Sequence, residues 1–211
     1  MNVGTIEDSK TTNYDKYTSN HPYVVERIGR FFGDLARLIA LVEPMSILSL
    51  GCGEGFDLKS ICEKSPGSPY CCGLDLNPGA LRVAQELVRN FQFDSIQGDI
   101  HHLPFRLDRF DTVLCLEVLE HLEHPEAVMR EISQRYNGYC VFSVPNEPLY
   151  RLTRMLLFRL NVRQFGNHPD HINHWSKRSF AQLVGQYFVI DQVTTPFPWT
   201  MVLCHSRGAA G

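Results

Sequence analysis

"ILSLGCGEGFDL", residues 47 to 58, decides how this chain is read. The apolar run from Ile47 to Leu50 ends in three glycines on alternate positions, Gly51, Gly53 and Gly55. Glycine adopts backbone angles closed to other residues and lets a ligand approach the main chain. A short apolar run bounded in this way reads as a buried strand followed by a bend. The stretch therefore predicts a β-segment whose C-terminal end is left bare for a ligand.

Upstream of this strand, Val24, Ile28, Phe31, Leu35, Leu38 and Val42 recur at steps of three and four, the stripe of one helix that Pro44 ends. Residues 1 to 20 are polar and are expected to be mobile unless a ligand orders them. Downstream, strands and helices alternate: a helix over 55–64, a strand over 70–75, then Asn77 and Pro78 as N-cap and first-turn pair of a helix to about Phe91. Strands follow near 94–97 and over 110–116, then a helix from Pro125 to about Tyr136 and a strand over 138–144. Such apolar runs suit parallel strands covered by helices on both sides. Helices are expected over 149–160 and 176–186. Residues 187–193 and 199–205 are joined by a link too short for a crossover, so they should be antiparallel neighbours. The expected fold is α/β: a doubly wound, mostly parallel seven-stranded sheet with a C-terminal antiparallel hairpin.

At 211 residues, 44% of them hydrophobic and 20% charged, the chain fits one domain, with residues 1–44 an N-terminal segment of the same unit as 45–211. A net charge of -3 lacks the positive field that holds a phosphate polymer, so no nucleic-acid partner is expected. No apolar run approaches a membrane span, and the opening residues do not read as a secretory signal, so a cytoplasmic location is expected. The seven cysteines form no CxxC pair and read as buried free thiols.

In a doubly wound sheet, ligands sit beyond the carboxyl ends of the strands, where the glycine bend falls. A dinucleotide fingerprint is GxGxxG, whereas this chain has GxGxG and no separate substrate domain. SLGCGEG (49–55) resembles the first motif of the class I S-adenosylmethionine-dependent methyltransferases, especially the small single-domain group related to ubiquinone-biosynthesis enzymes. Further matches are GLDLN (73–77), Gly98-Asp99-Ile100 and CLEVLEHLEHP (115–125), and the likeness is good over about 45–150.

The resemblance implies a Rossmann-like methyltransferase fold with S-adenosyl-L-methionine as cofactor and S-adenosyl-L-homocysteine (SAH) as product. It implies cofactor contacts along the main chain at Gly51, Cys52, Gly53 and Gly55, Asp75 accepting the ribose hydroxyls beside Leu76, Asp99 and Ile100 at the adenine, and Leu116 and Glu117 at the methionine part. Tyr17, with Tyr14, resembles the tyrosines that close an N-terminal segment over the cofactor. One position departs from the pattern: the family usually has Asp or Glu two residues before the first motif glycine, and here Ser49 stands there.

The reaction is an in-line displacement of methyl from sulfonium, which needs alignment more than acid. Where the acceptor is a hydroxyl, a histidine suits the role of base. The candidates are His121, after the fourth strand, and His171 or His174 in NHPDHINHWS (167–176), with loop anchoring the alternative at each. His168, His171 and His174 lie at steps of three, but Pro169 interrupts a regular helix and a sulfonium donor needs no Lewis acid, so no metal is expected. His101 and His102 read as exposed. The stretch 148–163 carries Arg151, Arg154, Arg159 and Arg163 and no acid; a solvated amphipathic helix is the plainer reading, and peripheral membrane contact the other. Phe165, Trp175, Phe197 and Trp199 are candidates for a pocket wall or for core.

The function expected is methyl transfer to a small-molecule acceptor, a hydroxyl oxygen first. LEVLEH lacks the polar residue, two prolines and aromatic usual in enzymes that methylate amino groups of nucleic acid or glutamine. The rivals are a binding subunit without turnover and a nicotinamide-dependent oxidoreductase. The sequence assigns no oligomeric state.

Overall fold

A computed structural model describes residues 12–104, 106–146 and 171–208. Its centre is a seven-stranded sheet in the order β3-β2-β1-β4-β5-β7-β6. The strands are β1 (Ser46–Leu50), β2 (Tyr70–Asp75), β3 (Phe93–Gln97), β4 (Thr112–Leu116), β5 (Tyr139–Pro145), β6 (Phe188–Thr194) and β7 (Trp199–Ser206). β1 to β5 pair in parallel, while β7 runs antiparallel to both β5 and β6, the hairpin read from the sequence.

Side chains alternate across the strands and feed two cores. Ile47, Cys71, Leu114, Val141 and Met201 face α2 (Pro22–Val42) and α3 (Phe56–Lys64). Leu48, Cys72, Val113, Phe142 and Val202 face α5 (Pro125–Arg135) and α6 (Lys177–Tyr187), through Val128, Ile132, Phe180 and Val184. Each large side chain so enclosed stabilises the fold by about 1.5–3 kcal/mol relative to exposure. All seven cysteines are buried free thiols.

The α2 stripe buries Val24, Ile28, Phe31, Leu35 and Leu38 as its spacing predicts. The helix after Asn77, α4 (Pro78–Leu87), stops a turn short of the expected Phe91; Asn77 Oδ1 accepts from the main-chain N–H groups of Gly79 and Ala80. The N-terminal segment differs more. Polar composition predicts mobility, yet Thr12–Tyr17 forms a helix, α1, with the Tyr17 ring stacked on Phe56 and Phe32 at centroid distances of 4.9 and 5.6 Å. Two aromatic contacts hold what local propensity leaves open. The expectations for residues 1–11 and for the basic stretch 148–163, with Phe165 and His168, fall mainly or wholly outside the described residues. No described helix is long and apolar enough to cross a membrane.

Candidate active site

The order reverses at β1, whose neighbours are β2 and β4, and the glycine bend leaves the sheet at that switch point. Gly51, Gly53 and Gly55 have φ of 73°, 51° and 75°, all left-handed. A Cβ on Gly51 would lie 2.5 Å from Val118 Cγ2, so the bend after β1 and the loop after β4 meet across bare backbone. Gly51→Ala is expected to lose about 1–2 kcal/mol to backbone strain, with more from displacing Val118, and to weaken cofactor binding. Urea denaturation and SAH titration check it.

The bend is fastened to β2. Gly51 N and Cys52 N both donate to Leu74 O, at 2.7 and 3.0 Å. Gly53 N donates to Asp75 Oδ2 and Asn77 N to Asp75 Oδ1, each at 2.8 Å. Two main-chain donors thus fix the carboxylate plane while each oxygen keeps acceptor capacity. Cys52 turns its thiol inward: a Cβ on Gly73 would lie 2.5 Å from that sulfur, so its side chain is core and only its main chain borders the bend. Leu76 is 65% exposed, an apolar surface beside the Asp75 carboxylate. Asp99 accepts from His101 N at 2.8 Å, which holds its carboxyl below the usual range. Ile100 and Leu116 are buried at the edges of the two cores. His102 is exposed as expected, while His101 is half-buried.

Directly after β4 comes Glu117, held with φ at 58°, a strained angle for a residue with a side chain. Its carboxylate accepts from Ser143 Oγ at 3.2 Å and from the Trp199 indole Nε1. Burial pushes this carboxyl up to about 7, opposed by Lys16 and by the two hydrogen bonds. The Lys16 ammonium of α1 lies 5.1 Å from the Trp199 ring centroid, and burial lowers its pKa against the pull of Glu117, Glu120 and Glu54. Trp199 is thus wall and core together, 2% exposed with Phe31 against its edge. Trp175 packs on Phe180, and Phe197 lies under the Arg27 guanidinium.

One turn further, Glu120 is 1% exposed, and among the described residues neither of its carboxylate oxygens has a hydrogen-bond partner. Burial, then the charge of Glu117, pushes its carboxyl well above the ordinary range. The Glu120 carbonyl accepts from Ile172 N and Asn173 N at 3.0 and 3.1 Å, and Asn173 Nδ2 reaches Leu122 O at 2.6 Å. These bonds draw the segment after residue 170 onto the loop after β4 and bring the His171 ring to 4.8 Å from His121. One donor atom each from Glu120, His121 and His171 lie within 4.8 Å of one another. His174 is exposed and not a member of the trio.

Of the residues read from sequence, the structure ties the glycine bend to Asp75 and brings His121 beside His171, while Glu117 follows β4 with Ser143 and Trp199 as its partners. Sequence reading missed Lys16, Glu120, Ser143 and Asp57. Only Glu120 had a local signal, as the acid beside His121 in LEVLEH.

The matching family model is described as a methyltransferase domain and spans residues 23–187. The chain belongs to that family, whose cofactor is S-adenosylmethionine. Among curated proteins, a ubiquinone biosynthesis O-methyltransferase of Escherichia coli K12 is 30% identical over 129 residues, 59% of this chain and 48% of that protein. The chain thus spans about half the length of the curated relatives it matches. Solved structures share the fold. Magnesium protoporphyrin IX methyltransferase from Synechocystis PCC 6803 with bound SAH has TM-score 0.69 at 14% identity, covering 95% of this chain and 97% of that one. The small RNA methyltransferase HEN1 has TM-score 0.67 at 20% identity, covering 87% of this chain and 26% of that one. The bare left-handed bend and the two-point anchoring of Asp75 fit such a cofactor, because its nucleoside needs close main-chain approach and an acceptor for two hydroxyls.

Proposed function

We propose that this chain transfers the methyl group of S-adenosylmethionine to a hydroxyl oxygen of a small molecule, with the acceptor's proton handled at Glu120, His121 and His171. When bound, the cofactor supplies an electrophilic methyl on a positively charged sulfur. The chain's part is to hold the nucleoside at Gly51, Cys52, Gly53, Gly55, Asp75, Leu76, Asp99 and Ile100. Leu116 and Glu117 border the reacting end, and Tyr17 covers it from α1. An imidazole of His121 or His171 takes the acceptor proton while Glu120 stabilises the resulting imidazolium. The oxygen target is supported by the name of the Escherichia coli relatives, and the small-molecule acceptor by the net charge of -3.

The observation that carries the proton-handling part is the buried Glu120 carboxylate, unbonded at both oxygens and flanked by two imidazoles. The same observation favours a second reading, in which the trio holds a divalent cation, since a carboxylate with two imidazoles is a donor set that such ions accept. The ion would supply a Lewis acid at the acceptor hydroxyl.

Labelled methyl transfer to a panel of phenols and alcohols tests the function. Chelation separates the readings. A cation-dependent enzyme is expected to lose at least about 90% of its rate in EDTA and to recover on adding Mg²⁺, Mn²⁺ or Zn²⁺. A chelator-insensitive rate leaves the imidazole as base, and no transfer to any hydroxyl overturns the oxygen assignment.

A further inference from the structure

Position 49 is where the resembling family carries an acid and this chain carries a serine. The structure sets a different carboxylate against that hydroxyl: Ser49 Oγ donates to Asp57 Oδ2 at 2.8 Å. Ser49 lies in β1 before the glycine bend, and Asp57 lies in the first turn of α3 after it. We propose that Asp57, fixed by Ser49, binds the primary ammonium at the amino-acid end of the cofactor, so that the missing acid is supplied from the other side of the bend. This inference rests on the cofactor assignment above.

Three observations support it. The Asp57 carboxylate bears on the groups that line the bend: its charge acts on the Cys52 thiol and the Tyr17 hydroxyl, and Asp75 acts on it in turn. The hydrogen bond to Ser49 holds the carboxylate beside the C-terminal half of β1, at the base of the bend. Among the described residues no cation forms an ion pair with it. The Ser49 hydroxyl and main-chain N–H groups of its own helix turn donate to it. The partial positive charge of a helix start helps hold an anion there without neutralising it.

The geometry also explains how eight residues of displacement are absorbed. Ser49 is 1% exposed, and its hydroxyl donates to an acid that reaches back from the first turn of α3. A purely structural role, pinning α3 to β1, uses the same hydrogen bond, so the test must separate the amino-acid end from the rest of the cofactor.

Calorimetric titration with two ligands does so: SAH, and 5′-methylthioadenosine, which keeps the nucleoside and the thioether but lacks the amino-acid chain. Asp57→Asn is expected to weaken SAH by about 10- to 100-fold, the value of a charge-assisted hydrogen bond, and to leave methylthioadenosine within about twofold. Ser49→Ala should weaken SAH by about three- to tenfold as the carboxylate loses its positioning partner. Joining Ser49→Asp to Asp57→Asn should restore SAH to within about threefold of wild type. Equal losses for both ligands, or undiminished SAH binding by Asp57→Asn, would overturn the inference. A wild-type chain blind to both ligands would instead overturn the cofactor assignment.

Discussion

Glu120→Gln is expected to lower the rate of methyl transfer by about 10²- to 10⁴-fold, the range for losing a group that moves or stabilises a proton in the transition state. Affinity for SAH should change by less than about threefold, because the cofactor is held by the glycine bend and Asp75. The isosteric amide keeps the shape of a side chain that is 1% exposed and removes its ability to ionise or exchange a proton. The amide is as buried as the carboxyl it replaces and avoids the cost of ionising there, so the variant is expected to remain folded at neutral pH, which urea denaturation checks. His171→Ala should fall in the same range if its imidazole is the base or a cation ligand. His174→Ala, outside the trio, should stay within about threefold. Single-turnover transfer at saturating cofactor reads all three. A Glu120→Gln rate near that of wild type would remove the trio from the chemistry.

That trio shows where sequence reading stops. The bend, Asp75 and Asn77 were legible because each acts within a few residues of a strand end, where apolar run, glycine and acid stand in order. The α2 stripe was legible for the same reason, since one helix face is a local property. The pairing of His121 with His171 joins two loops through main-chain bonds to the Glu120 carbonyl, and no spacing along the chain encodes that. Composition likewise cannot show that the Trp199 indole reaches Glu117, 82 positions away. The polar composition of residues 1–20 does not show the order of α1, because that order comes from the stacking of Tyr17 on Phe56 and Phe32, contacts supplied by other elements. The departure at Ser49 was visible in sequence, whereas its answer, Asp57, was not. An acid in the first turn of a helix is common on electrostatic grounds alone, and only the tertiary hydrogen bond distinguishes this one.

The same acid carries a stability cost that can be measured apart from any ligand. Burial is the largest cause acting on Asp57 and raises its pKa from 3.8 to about 6, against the Ser49 hydrogen bond and the main-chain donors, with Asp75 adding repulsion. Below about pH 4 both folded and unfolded chains hold this proton. Between about pH 4 and 6 the folded chain keeps it while the unfolded chain has lost it, so the folded state binds more protons and stability falls as pH rises. Above about pH 6 both are ionised, and the shift corresponds to a penalty of about 3 kcal/mol. The apo Asp57→Asn variant, still able to accept from Ser49, is therefore expected to be more stable than wild type by about 3 kcal/mol at pH 7.5, with the difference closing toward pH 4. Urea denaturation of both chains across that range reads it, and the wild-type-minus-variant difference cancels the other carboxyls that titrate in the same window. If Asp57 meets the cofactor's ammonium, saturating SAH should narrow the gap by stabilising wild type more than the variant. The variant that folds better would then bind its cofactor worse, the opposition expected of a charge kept for a ligand rather than for the fold. A pH-independent difference between the two chains would show that Asp57 is not held at a raised pKa.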